Sequence, residues 1–168
     1  SSPRRGALRF SRVTLLAFMY ASCADPNGCP YALTVMHLVK AELEKLPPTR
    51  DRVRFVSLSF DPARDTPQVL ALYGQDAGGT KPHGAWDFLT TRSRRELLPI
   101  LNGFGQDVGV DIDKASGKPA GTYSHMLKVF LIDRHNAVRE IYTTDSLLTR
   151  MVINDIKTLL MEDGVMLK

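Results

Sequence analysis

The sequence predicts an α/β domain, a mixed sheet flanked by helices on both faces, and three observations carry that expectation. Apolar runs with strand character alternate along the chain with segments whose apolar residues recur at helical spacing. The first of the strand-like runs is apolar almost without interruption, the pattern of a strand covered on both sides. Near the end, two strand-like runs are separated by only four residues, a separation that suits a hairpin and makes part of the sheet antiparallel.

Residues 13–20 (Val-Thr-Leu-Leu-Ala-Phe-Met-Tyr) form the buried strand. It is broken by residues 24–29, where Asp25-Pro26 and Asn27-Gly28 are two successive turn signals. Pro30 suits the first turn of a helix, where its missing N–H is not needed. Val35, Leu38, Val39, Leu43 and Leu46 then keep helical spacing until Pro47-Pro48 stops it. Residues 52–60 read as a second strand, ended by Asp61-Pro62. Asp65 as N-cap, Pro67 in the first turn and Gln68 as capping-box partner start a helix that runs through Tyr73. Gly78-Gly79 and Pro82 mark a loop, and residues 85–89 a short strand. Leu97, Leu98, Leu101 and Phe104 make residues 93–104 helical. Residues 105–121, rich in Gly, Asp and Lys, read as a loose connection. Residues 126–132 and 137–142 are the hairpin strands, and residues 147–161 an amphipathic closing helix.

The length of 168 residues suits one domain with a real core, assigned to residues 13–168 behind a flexible segment 1–12. With 43% hydrophobic and 24% charged residues, the composition excludes a disordered chain. The formal charge of +4 comes from scattered basic residues rather than a run interleaved with aromatics, which argues for a solvated surface and against nucleic-acid binding. No apolar stretch is long enough to cross a bilayer, and the first five residues lack the apolar run that follows the charged start of a signal peptide. The missing initiator Met reads as a trimmed or mature fragment, so any membrane anchor is expected outside this sequence. A monomer is expected.

Chemistry concentrates at the two cysteines, Cys23 and Cys29. Two are too few for a disulfide framework, but a close pair between a core strand and a helix start is either a redox couple or a metal clamp. The unpaired N–H groups and partial positive charge of a helix N-terminus favour thiolate, an effect expected to be strongest at Cys29. Thiolates are soft ligands that select Cu(I), and imidazole serves copper as well. Among the histidines, His37 in a helix, His83 in a Pro/Gly loop and His135 in a turn read as surface residues. His125 taken alone reads the same way or as a satisfied core residue.

Several segments, in order, resemble the Sco/SenC copper proteins of the thioredoxin superfamily. These are residues 18–23 (Phe-Met-Tyr-Ala-Ser-Cys) with Cys29-Pro30, and residues 56–67, ending in Asp-Pro-Ala-Arg-Asp-Thr-Pro. Residues 86–90 (Trp-Asp-Phe-Leu-Thr), Tyr123-Ser124-His125 and Leu131-Ile132-Asp133 complete the set. The resemblance implies a thioredoxin-like fold and a copper site made by Cys23, Cys29 and His125, holding Cu(I) or Cu(II). It implies extracytoplasmic, periplasmic work as a metallochaperone: delivering copper to, or reducing the cysteines of, the copper A site of cytochrome c oxidase or another cuproprotein client. It also keeps open a metal-independent alternative, a thiol–disulfide oxidoreductase or redox sensor using Cys23 and Cys29 as a redox pair.

The chain departs from the family pattern in its spacer. Five residues separate the cysteines where the family usually has three, a difference that costs only a few tenths of a kcal/mol in loop closure, estimated as roughly (3/2)RT ln n. A shorter stretch than usual also precedes the first strand. Asp61, Arg64 and Asp65 match the family signature but are explained by turn and cap chemistry, and are read as structural. Asp111 and Asp113 begin like a calcium loop, yet Ala115 and Ser116 occupy the following positions and exclude it. No phosphate loop or nucleophilic-serine motif is present, and nothing identifies a peroxide-activating arginine.

Overall fold

Every residue of Val13–Met19 is buried, and this strand, β1, is the middle of the sheet. The structure is a computed structural model describing residues 11–76 and 86–167. The expected flexible segment therefore lies largely outside the described residues, as do Gly78, Gly79, Pro82, His83 and Ala85. After β1 come helix α1 (Cys29–Glu44), a 3-10 turn (Pro47–Thr49), β2 (Val53–Ser59), α2 (Pro67–Asp76), β3 (Trp86–Leu89) and α3 (Arg94–Phe104). They are followed by β4 (Val108–Ile112), β5 (Pro119–His125), β6 (Val129–Ile132), β7 (Val138–Tyr142) and α4 (Thr149–Glu162).

Five strands make one sheet in the order β3-β2-β1-β6-β7. β1 runs parallel to β2, and β2 to β3, while β6 pairs antiparallel with β1 and with β7. This is the expected mixed sheet with a terminal hairpin. Alternation along the strands divides the core in two. Val13, Leu15 and Ala17 face one way, with Phe55 and Leu131, and pack under α1 and α4 through Met36, Val39, Val152 and Ile156. Leu16 and Phe18 face the other way with Val56, Leu58 and Phe130, and are covered by Leu70 of α2 and Leu97 and Leu101 of α3. Both faces are dry, which is why β1 and β6 carry no polar alternation.

The helix boundaries follow local chemistry. Ser93 Oγ accepts from the Glu96 N–H at 3.3 Å while Glu96 Oε2 accepts from the Arg92 N–H at 3.2 Å, a reciprocal cap for α3. That helix stops at Gly105, whose φ of +62° is the left-handed conformation of a C-terminal glycine, with the Gln106 N–H returning to the Leu101 carbonyl. For α2 the expected cap is corrected: the Thr66 hydroxyl, not Asp65, accepts from the Val69 N–H at 3.3 Å. Asp65 is buried and bonded elsewhere.

The larger correction concerns residues 105–121. Nearly half of this stretch is strand rather than loose connection, because β4 and β5 pair antiparallel as a separate two-stranded hairpin, with Val108 opposite His125. Its residues are mostly exposed and only weakly alternating, and the register shifts between Val110 and Ile112. The pairing comes from the partner strand rather than from a buried face, so no apolar period marks it. Correspondingly, β6 begins at Val129 rather than at Met126.

Candidate metal centre

The two cysteines sit where β1 ends and α1 begins. After buried Tyr20 the chain turns, the Cys23 N–H donating to the Tyr20 carbonyl at 3.1 Å. The spacer folds on Asp25, whose Oδ1 accepts from the Asn27 N–H and whose carbonyl accepts from the Gly28 N–H, both at 3.0 Å. Gly28 then gives its carbonyl to the Ala32 N–H as the first turn of α1 forms. Cys29 is the first helical residue and is 2% exposed, while Cys23 is half-buried; both are free thiols.

Burial first, and then the Cys23 side chain beside it, push the Cys29 thiol well above its ordinary range. This corrects the expectation that the helix N-terminus makes Cys29 a ready thiolate. Desolvation of a nearly inaccessible sulfur outweighs the helix end, and Cys29 stays a thiol until something replaces its proton. Cys23 packs against the same apolar cluster that contains Cys29, so both ends of the five-residue spacer return to one part of the core.

His125 ends β5 and reaches the same place from the hairpin. Its Nε2 lies 3.7 Å from Cys29 Sγ. The ring packs edge-on against Phe60, with centroids 4.9 Å apart, and against Tyr20 at 6.1 Å. Tyr123 closes the cluster, 5.2 Å from Tyr20 and 5.5 Å from Phe60. Burial in this aromatic pocket lowers the pKa of His125, with the Tyr123 backbone and then the charges of Asp25 and Asp111 opposing. The imidazole is neutral at neutral pH, the form in which it ligates metals. Its buried Nδ1 meets no hydrogen-bond partner among the described residues, and the same is true of Oε1 of buried Gln106.

The donor set fits a soft metal ion. With metal–sulfur and metal–nitrogen bonds of the length found at zinc, two ligands of a trigonal ion stand about 3.8 Å apart, close to the observed approach of Cys29 and His125. As the side chains stand, no three His, Cys, Asp or Glu side chains among the described residues enclose a single point. Cys29 and His125 already approach each other, and Cys23 is the more accessible of the two cysteines.

The structure also gives a role to residues that turn and cap chemistry seemed to exhaust. Asp61, 2% exposed, holds the Arg64 guanidinium on Oδ2 and the Tyr123 hydroxyl on Oδ1 at 3.0 Å. Arg64 Nη2 donates to the Gly121 carbonyl at 2.7 Å. Asp65, also 2% exposed, accepts from the Ser59 hydroxyl and from the Ala21 N–H, the latter at 3.0 Å. The available sequence signal is the number of charged residues in one turn, Asp61, Arg64 and Asp65, more than a turn and a cap need.

The remaining candidates stay apart. His37 and His135 are exposed, and His83 lies outside the described residues. Asp113 Oδ1 accepts from the N–H groups of Ala115 and Ser116 and from the Ser116 hydroxyl, so it closes its own turn.

Residues 9–161 match the family model described as SCO1/SenC. Among solved structures, the chain is similar to apo Sco1 from Thermus thermophilus, at 26% identity and a TM-score of 0.70, covering 89% of this chain and 80% of that one. It is similar to a SCO1/SenC family lipoprotein from Bacillus anthracis, at 27% identity and a TM-score of 0.69, over 89% of this chain and 82% of that one. The fold is also that of copper-bound ScoI from Bradyrhizobium japonicum, at 23% identity and a TM-score of 0.70, over 90% of this chain and 87% of that one. Comparison with curated protein sequences finds no match.

Proposed function

The chain belongs to the SCO1/SenC family, and from that premise we propose that it binds copper through Cys23, Cys29 and His125 and passes it to a cuproprotein outside the cytoplasm. The observation that carries the proposal is the 3.7 Å approach of Cys29 Sγ to the Nε2 of a neutral, half-buried histidine, with Cys23 packed on the same cluster. Two thiolates and an imidazole make a soft site suited to Cu(I), and the imidazole helps it to accept Cu(II) as well. His125 offers its lone pair without losing a proton. Cys29 must give up its proton on binding, so a client whose own thiolates replace it on the metal, while Cys29 takes back a proton, draws the metal off. Half-buried Cys23 is the side from which a client's own thiolates approach. The proposed client is the copper A site of a cytochrome c oxidase subunit or of another cuproenzyme. The lipoprotein character of the Bacillus anthracis relative supports a membrane-tethered, extracytoplasmic setting.

Titration of the reduced protein with Cu(I) against a competing chelator tests this. One equivalent bound tightly, with binding weakened strongly in His125→Ala, is the expected result. Binding indifferent to that substitution sinks the reading.

A second reading rests on the same pair: both cysteines are free, belong to one cluster and are unequally exposed. Accessible Cys23 attacks a client disulfide as a thiolate, forming a mixed disulfide and releasing one client thiol. Cys29, deprotonated, then attacks Cys23 sulfur, releasing the second client thiol and leaving a Cys23–Cys29 disulfide; the client gains the two electrons the pair loses. Reductase activity that persists in metal-free His125→Ala favours this reading.

A further inference from the structure

We propose that Asp61, Arg64 and Tyr123 form a latch that positions His125 over the cysteine pair, and that this latch governs Cu(II) binding more than Cu(I) binding. The inference rests on the copper reading above for its second half only; the positioning itself is a property of the metal-free chain.

The need for a latch follows from how the hairpin is held. Most residues of β4 and β5 are exposed, including Val110 and Ile112, so burial of apolar surface does little to fix the hairpin against the core. Near the base, Gln106 Nε2 donates to the Met126 carbonyl at 3.0 Å and Lys128 Nζ to the Gly105 carbonyl at 2.7 Å. Further out along β5 the ties run to one turn of the core. The Tyr123 hydroxyl donates to Asp61, the Arg64 guanidinium donates to the Gly121 carbonyl, and its Cζ stands 5.5 Å from the Tyr123 ring centre. Gly121 has φ of +78°, a conformation that presents its carbonyl to Arg64 and that an L side chain resists.

Strand geometry turns that anchorage into control of the ligand. Residues two apart on a strand share a face, so pinning Tyr123 fixes the direction of His125. Both rings accordingly lie against Tyr20 and Phe60.

The same network reaches the other ligand segment. The Ser59 hydroxyl accepts from the Asp61 N–H at 3.0 Å and donates to Asp65, which in turn holds the Ala21 N–H two residues before Cys23. One chain of hydrogen bonds therefore joins the cysteine loop to the histidine hairpin. Its two carboxylates are buried, a placement that is costly unless every partner is kept.

The chemical consequence divides the two oxidation states. The two thiolates supply the larger share of the hold on soft Cu(I), to which the imidazole adds, whereas Cu(II) relies more on the nitrogen donor. Loosening His125 without removing it weakens Cu(II) first.

The test uses Tyr123→Phe, which removes only the hydroxyl, with Asp61→Asn and Arg64→Gln as companions and Arg64→Lys as the conservative variant. In the metal-free proteins, amide hydrogen exchange across residues 119–125 is expected to speed up about tenfold, the loss of one or two hydrogen bonds, while exchange in β1 and β2 stays unchanged. On loading, Cu(II) affinity is expected to fall about tenfold, with a shifted thiolate-to-copper absorption band, and Cu(I) affinity to fall less than about threefold. Arg64→Lys restores part of the Cu(II) signal. Unchanged exchange in both Tyr123→Phe and Asp61→Asn overturns the latch, whatever copper does. An unchanged Cu(II) band and affinity in those variants, where His125→Ala loses both, overturns its role in metal binding. A His125→Ala protein that binds both ions normally defeats the copper reading instead, and the exchange data still decide the positioning. Should Asp61→Asn not fold, Tyr123→Phe and Arg64→Gln carry the same comparison.

Discussion

The cysteine loop and the histidine hairpin meet at one point, yet they are built in opposite ways. Cys29 opens a helix packed on the central strand and is 2% exposed, within a cluster that includes Leu16, Phe18 and Phe130. His125 is the last residue of a two-stranded hairpin whose outer residues face solvent. One half of the centre has its position set by the core, where packing density leaves little freedom. The other half is set by a few polar contacts, each of modest net worth. If the centre holds copper as proposed, the contrast divides the labour between a core-set sulfur that retains the metal and an adjustable nitrogen that tunes it.

The largest effect expected from that contrast is on stability. Phe18 packs edge-on against Phe104 at 5.6 Å and Phe130 at 5.9 Å, and Phe18→Ala should cost about 3–5 kcal/mol. Ile112, on the hairpin and 56% exposed, should cost less than about 0.5 kcal/mol as Ile112→Ala. Urea unfolding with copper-free protein measures both. Comparable losses at the two sites break the comparison, because the hairpin would then share the core's stability.

The next effect is on metal binding. Structural zinc sites have total apparent binding energies of about 10–16 kcal/mol over four ligands, so losing one first ligand costs on the order of a hundred- to a thousandfold in affinity. Cys29→Ala and His125→Ala should both fall in that range for Cu(II), whereas for Cu(I) the cysteine should matter more. Chelator competition in each oxidation state makes the measurement. Equal effects on Cu(I) would show that the histidine holds the metal as firmly as the core-set sulfur.

The core half of the molecule was legible in the sequence and the hairpin half was not, for physical reasons visible in particular residues. Residues 13–20 announce a strand buried on both faces because every side chain from Val13 to Tyr20 leaves water. Pro30 and Pro47 bracket α1 by their missing N–H groups. In β4 and β5 nothing comparable exists: Gly109, Asp111, Gly121 and Thr122 lie on or beside strands whose stability comes from pairing with each other, and propensity reads them as loop. The site divides along the same line. A cysteine pair at a strand–helix junction is visible from spacing, whereas His125 is found only through a resemblance, because its approach to Cys29 spans 96 residues. The thiol chemistry of Cys29 also escaped local reasoning: a helix start is written in the sequence, but the depth at which it is buried is not.

That burial gives a pH dependence with a definite sign. The Cys29 thiol, raised by burial and by Cys23, remains protonated through the neutral range. Copper bound as proposed would displace its proton, and conditional affinity should rise with pH and fall with acid by about tenfold per unit for each proton displaced. His125, lowered by burial, adds less to the slope than Cys29 does. Chelator competition between pH 6.5 and 8, a window of about the neutral range, should give at least one decade per unit in the wild type, with one proton fewer displaced in Cys29→Ala. A slope no different in Cys29→Ala means that the core-set sulfur is not the proton-releasing ligand.

The smallest expected effect lies in the spacer that joins the two cysteines. Asp25 organises it by accepting from the Asn27 N–H, and it does so in an exposed position. The ends of the loop are held separately, by the Ala21 N–H on Asp65 and the Cys23 N–H on the Tyr20 carbonyl at one side, and by the first turn of α1 at the other. Because two additional residues cost only a few tenths of a kcal/mol in closure, and an exposed turn bond contributes about 0.5–1 kcal/mol, Asp25→Ala should lower Cu(I) affinity no more than about fivefold. A loss tenfold larger, measured by the same competition, would move the spacer out of the passive class. The sulfur pair would then depend on its loop as His125 depends on its hairpin, and the core alone would no longer account for the fixed half of the centre.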